Sequence, residues 1–201
     1  MEFHSAIQEG LGGVDWVDPN ASVPVLAAVT GEKYRGKALP VYSGTTKDQP
    51  WWGMAWRGGE KPKIQLIKTG NKAPAPYAVR FDLPEGNNKG VPVVSMRYDF
   101  SKIRDNVRCL IFRVKTHRPG VIDVVFPSKD WKSCFMATVS LNEPGRWVTI
   151  RLPFRSAFRY TGAPFPIRES RKEIYLYNGL NQQNSYPRSA VSFELTGMEL
   201  Q

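Results

Sequence analysis

The sequence predicts an all-β protein built as a single antiparallel β-sandwich, and three observations carry that prediction. Short segments rich in β-branched and aromatic residues recur along the chain, each bounded by Gly, Pro, Asn or Asp. Several alternate apolar and polar residues with period two, as a strand with one buried face does. Helical signals are weak: no long window keeps apolar residues at three-and-four spacing, and 16 prolines interrupt the chain. Strand following strand implies a sandwich rather than a βαβ fold.

Residues 1–38 show no sustained periodicity, with Gly10, Gly12 and Gly13 early and small apolar residues from Val23 to Val29. They are read as an extended lead-in, and residues 39–201 as the sandwich domain. Met1-Glu2-Phe3-His4-Ser5 lacks the basic and apolar regions of a signal peptide, and Glu2-Phe3 matches what a common cloning site leaves behind. No run of about 18 apolar residues exists, so no membrane span is expected.

The first strand candidates are Leu39-Pro40-Val41-Tyr42-Ser43 and the segment from Gln49 to Arg57, which holds Trp51, Trp52 and Trp56 and ends at a Gly58-Gly59 turn. Nine more follow: Lys63 to Lys68, Tyr77 to Leu83, Val91 to Phe100, Val107 to Lys115, Val121 to Phe126, Cys134 to Leu141, Trp147 to Leu152, Glu173 to Tyr177 and Val191 to Leu200. Alternation assigns Leu110, Phe112 and Val114 to one face, as it does Phe135, Ala137, Val139 and Leu141. Val148, Ile150 and Leu152 form a third set and Ile174 and Leu176 a fourth. These sets are the predicted core. A chain of 201 residues with 41% hydrophobic residues can build one large core.

Cys109 and Cys134 lie in separate apolar stretches. They are read as buried free thiols, with a cross-strand pair as the alternative. Without a CxxC or a Cys/His cluster there is no zinc signature. The net charge of +10 is uneven: residues 1–100 carry 12 Lys/Arg against 10 Asp/Glu, residues 101–201 carry 16 against 8. The basic second half would concentrate anionic partners such as sulfated or uronic polysaccharide, nucleic acid or acidic membrane, or else simply solubilise the surface.

The order of segments resembles a known family. Leu39-Pro40-Val41-Tyr42-Ser43 leading to Trp51-Trp52-Gly53-Met54-Ala55-Trp56 resembles the opening of jelly-roll carbohydrate-binding modules of the galactose-binding-like superfamily, which are appended to secreted glycan-degrading enzymes. Gly145-Arg146-Trp147-Val148-Thr149-Ile150-Arg151-Leu152-Pro153-Phe154 resembles a later strand of those modules, and Phe193 to Leu200 their closing strand. The resemblance implies a galactose-binding-like jelly roll that binds polysaccharide or oligosaccharide without a cofactor, acts as a monomer or as part of a larger enzyme, and works outside the cell or at its surface. Glu194 and Thr196 stand where an Asp-Asn pair is often found in the closing strand, so a structural calcium ion is not supported by a motif.

Sugar recognition needs flat apolar surfaces against pyranose C–H faces, with amides, hydroxyls and charges around them. Trp51, Trp52 and Trp56 are candidates, although adjacent strand residues face opposite ways, so at least one belongs to the core. With Ile174 and Leu176 inward, Tyr175 and Tyr177 face the other side, and the polar loop after them offers Asn178, Gln182 and Tyr186. Arg151, Arg155, Arg159 and Tyr160 form a basic and aromatic run suited to an anionic substituent. Arg168, Arg171 and Lys172 are read as solvated loop charges. Trp131, in Lys129-Asp130-Trp131-Lys132, sits on a turn where it can stack a ring with cations beside it, whereas Trp147 is read as packing.

Catalysis has little support. His4 and His117 suggest neither a triad nor a metal cage, and phosphate-loop patterns are absent. The expected function is therefore non-catalytic, anionic glycans being favoured. The alternatives are a structural or protein-interaction sandwich and a jelly-roll polysaccharide lyase using a tyrosine; nucleic-acid binding is disfavoured, since no barrel or zinc signature accompanies the charge.

Overall fold

The alternating segments pair into two antiparallel six-stranded sheets in a computed structural model that describes residues 38–56, 59–86, 91–103, 107–178 and 189–201. The strands are β1 (Leu39–Tyr42), β2 (Trp51–Trp56), β3 (Lys63–Lys68), β4 (Tyr77–Leu83), β5 (Val91–Arg97), β6 (Cys109–Arg118), β7 (Gly120–Pro127), β8 (Cys134–Leu141), β9 (Trp147–Pro153), β10 (Arg159–Thr161), β11 (Glu173–Tyr177) and β12 (Val191–Leu200). One sheet runs β3-β4-β12-β6-β9, with β1 also alongside β12; the other runs β10-β8-β7-β11-β5-β2. The only α-helix among the described residues is the single turn α1 (Phe154–Ala157).

The facing sides of the two sheets enclose the main core, and every predicted core set lies there, Val148 being half-buried at its margin. Phe126 sits at an aromatic junction, with ring centroids 5.4 Å from Phe100, 5.5 Å from Phe158, 6.3 Å from Phe154 and 6.5 Å from Phe135. Cys109 and Cys134 are both buried, one in each sheet, and are not joined as a disulfide.

Strand β12 changes neighbours along its length. Val191 to Leu195 pair with β4, Met198 to Leu200 pair with β1, and β6 follows the other side throughout. The changeover is a register shift between Thr196 and Glu199 at Gly197, whose φ of +58° suits a residue without a Cβ. Gly44 answers it across the sheet at φ +67°. A Cβ at Gly44 would overlap the Thr196 hydroxyl and the Tyr77 carbonyl, and the Gly44 carbonyl accepts the Tyr77 N–H at 2.9 Å.

The lead-in 1–38 falls, apart from residue 38, outside the described residues. Among the described residues no helix is long and apolar enough to cross a membrane.

Candidate functional site

Strand registers place the sequence candidates more sharply than alternation can. Arg159 pairs with Met136, Met136 with Val125, Val125 with Tyr175, Tyr175 with Ser95 and Ser95 with Trp52. These six residues form one transverse row over all six strands of the second sheet, on the face turned away from the main core. The next row runs Thr138, Asp123, Tyr177, Val93 and Met54. Tyr175, Tyr177 and Trp52 thus share a face, as period two requires, and Arg159 lies at its far edge.

This face is itself packed. Val91, Val93, Val125, Cys134, Met136, Tyr175 and Tyr177 form a second buried apolar cluster, with Met54 and Trp131 against it. Tyr175 and Tyr177 are each only 3% exposed, which differs from the open tyrosine pair that the sequence suggests, because both rings are taken up in that cluster. The Tyr177 hydroxyl reaches Met136 Sδ at 3.5 Å, and the Tyr175 hydroxyl donates to Glu173 Oε2. Burial first, and the Glu173 carboxylate second, push the Tyr175 hydroxyl far above the ordinary phenol range.

Three other candidates also take structural places. Trp51 points inward and meets Phe81 edge-on at 5.2 Å, as the opposite-face argument requires of one tryptophan in the group. Asn178 is fully buried, its Nδ2 donating to the carbonyls of Pro84 at 2.9 Å and Ser189 at 2.8 Å; it pins the end of β11 rather than opening to a loop. Tyr160 lays its ring 4.7 Å from Phe135 and donates its hydroxyl to the Phe165 carbonyl at 2.6 Å, leaving one side of the ring to solvent. Arg155 is exposed on α1 and does not join the transverse row. Gln182, Tyr186 and the side chain of Trp56 lie outside the described residues.

The tryptophans that keep accessible surface under a cation are Trp131 and Trp52. Arg171 lies over the Trp131 ring with Cζ 4.7 Å from its centroid, and Arg97 lies over Trp52 at 5.8 Å. Trp131 also contacts the Tyr175 ring at 5.7 Å, so it borders the buried aromatic face. It is the one non-glycine residue with positive φ among the described residues, at +63°. A closed turn holds it there. Ser128 N–H donates to the Ser133 carbonyl at 2.8 Å, Trp131 N–H to the Ser128 carbonyl at 3.1 Å, and the Ser128 hydroxyl to Asp130 Oδ1 at 2.6 Å. That hydroxyl does most to hold the Asp130 carboxyl below its ordinary range.

Beside this turn opens a cleft of about 540 Å³ lined by Arg97, Lys129, Arg168, Arg171 and Lys172, with Glu173 as its single lining carboxylate. Its walls come from the end of β5, the Trp131 turn and the segment leading into β11. Backbone contacts fasten the last two: Ser128 bridges Ser170, and Arg171 N–H donates to the Pro127 carbonyl at 2.8 Å. Lys172 pairs with Asp99 at 3.3 Å and Arg171 with Glu173 at 3.2 Å. Arg168, Arg171 and Lys172, read from sequence as solvated charges, therefore line one concavity with Arg97 and Lys129. The sequence signal was the cation beside Trp131; the convergence depends on a pairing between residues far apart in the chain. Among the described residues no group of three or more His, Cys, Asp and Glu could hold a metal ion.

No protein-family model matches the chain, and no curated protein matches it. Solved structures do. A family 11 carbohydrate-binding module of the cellulosomal cellulase Lic26A-Cel5E of Clostridium thermocellum matches at 12% identity and TM-score 0.56, over 82% of this chain and 94% of that one. The family 11 module from the same organism in complex with a β-1,3-1,4-mixed-linked tetrasaccharide matches at 11% identity and TM-score 0.56, over 80% and 94%. The family 30 module of the cellulosomal cellulase Cel9D-Cel44B of the same organism matches at 12% identity and TM-score 0.53, over 82% and 97%. The fold is thus the jelly-roll β-sandwich that such modules share.

Proposed function

We propose that the chain is a non-catalytic polysaccharide-binding module that favours anionic glycans and holds a parent enzyme or cell on them. One observation carries the reading: Trp131, a half-buried aromatic ring fixed by a closed turn, stands beside a cleft with five cations and one carboxylate. A flat ring suits the C–H face of a pyranose, and guanidinium forks suit carboxylate or sulfate oxygens. The shared fold with carbohydrate-binding modules, one of them in complex with a tetrasaccharide, supports the carbohydrate part of this reading. Preference for an anionic glycan rests on the cleft alone.

The lyase alternative asks a tyrosine to act as base. Tyr175 would have to lose its proton while buried and hydrogen-bonded to a carboxylate, which makes it a poor base near neutral pH. The reading implies an extracellular or cell-surface location and requires no cofactor.

Electrophoresis through gels containing β-glucan, alginate, pectin or a sulfated galactan tests it. Retardation is expected, strongest with the acidic polymers, with no release of reducing ends or unsaturated products. Unchanged mobility in every gel, or product formation that disappears in Tyr175→Phe, overturns it.

A further inference from the structure

We infer that the cationic cleft is a subsite for a tetrahedral oxyanion ester, a sulfate or phosphate group carried on a glycan, rather than for a uronic carboxylate. The inference deepens the polysaccharide-binding reading and rests on it. Two observations carry it, the first being the direction from which the donors come. Arg97 projects from the end of β5, Lys129 from the Trp131 turn, and Arg168, Arg171 and Lys172 from the segment before β11. Donors arriving from three segments surround a volume. A planar carboxylate has two oxygens and matches one fork, whereas a sulfate or phosphate monoester presents three terminal oxygens in different directions.

The second observation is independent of charge. Ser170 lines the same cleft and is only 2% exposed, yet its hydroxyl has no hydrogen-bond partner among the described residues. A buried hydroxyl left unpaired is costly, so one found beside a cationic concavity marks a position where a ligand oxygen completes it. Its backbone is fixed in advance. Ser170 N–H donates to the Ile167 carbonyl at 3.0 Å, and Ser170 bridges Ser128 in the turn that holds Trp131. The hydroxyl, the cations and the Trp131 ring therefore share one frame, so a sugar stacked on the ring can place an ester substituent in the cleft.

The probes are a sulfated galactan, the same galactan chemically desulfated, a phosphorylated mannan and polygalacturonate, titrated against the whole chain at fixed ionic strength. Binding of the sulfated polymer, the phosphorylated polymer or both is expected to be at least about tenfold tighter than binding of the desulfated and carboxylated ones, and which ester binds identifies its source. Ser170→Ala is expected to lose roughly tenfold on the ester-bearing polymer with no change on the desulfated one. Lys129→Gln, at an exposed turn position where folding is not at stake, is expected to lose the same preference. If the desulfated galactan or polygalacturonate binds as tightly as the esters, or if folded Ser170→Ala and Lys129→Gln both keep the full preference, the ester subsite is overturned while polysaccharide binding stands. If none of the four polymers binds, the functional reading falls and the subsite with it.

Discussion

At the scale of the residue, Trp131 shows how a local cost and a ligand surface coincide. A non-glycine residue in the left-handed region costs about 1–2 kcal/mol, and a bulky aromatic seldom occurs there without compensation. Here Ser128, Asp130 and Ser133 supply it, and Arg171 over the ring adds a cation–π contact worth about 0.5–1 kcal/mol at an accessible site. Replacing Trp131 separates the backbone from the ring. Trp131→Gly relieves the positive φ and Trp131→Ala does not, so the glycine variant should be the more stable of the two by about 1 kcal/mol in chemical denaturation. Both should lose glycan affinity by roughly ten- to a hundredfold, by analogy with base stacking on aromatics. An alanine variant as stable as the glycine one would contradict the strained backbone, and full affinity in either would remove Trp131 from the site.

At the scale of the element, strands were legible where packing imposes alternation and illegible where it does not. Five segments read from the sequence, from Lys63–Lys68 to Val191–Leu200, have the bounds that the structure gives them, because each has one face in the core and a turn residue at its ends. β10 escaped notice because Arg159, Tyr160 and Thr161 are too few to show a period, and its partner β8 defines it. The candidate site divides in the same way. That Tyr175 and Tyr177 share a face is a matter of chain geometry, but their burial depends on which strands lie beside β11, and no local pattern encodes that choice. The core is legible enough to be tested directly. Phe126, predicted as part of a β-rich run, meets four other phenylalanines, so Phe126→Ala should destabilise the fold by about 3–5 kcal/mol, read from the urea midpoint. A loss below about 1 kcal/mol would mean that the junction rearranges to fill the space.

At the scale of the whole molecule, electrostatics sets an acid limit. Burial alone would raise the Asp82 carboxyl, but the Ser192 hydroxyl and the Arg80 guanidinium outweigh it and hold the group below its ordinary range. Asp99 is lowered chiefly by its hydrogen bond from Ser101, and Asp130 by that from Ser128. A carboxyl depressed in the folded state contributes stability that is present above its unfolded value, near 4, and is lost as pH falls through the folded one. Melting temperature should therefore be flat from about pH 7 to 5 and fall below about pH 4, where the net charge of +10 also grows and repels itself. Asp82→Asn should shrink that fall, and an equal fall in the variant would show that Asp82 takes no part in it. The exchange of neighbours along β12 carries a further consequence, one of timing. During synthesis β1, β4 and β6 leave the ribosome well before the strand that joins all three, so only the β3–β4 and β6–β9 pairs of their sheet can form in passing. Most of its pairings are long-range and close together, late, once Val191 to Leu200 have emerged. Until then β1 and the two pairs stay unjoined, with strand edges and apolar faces open to association.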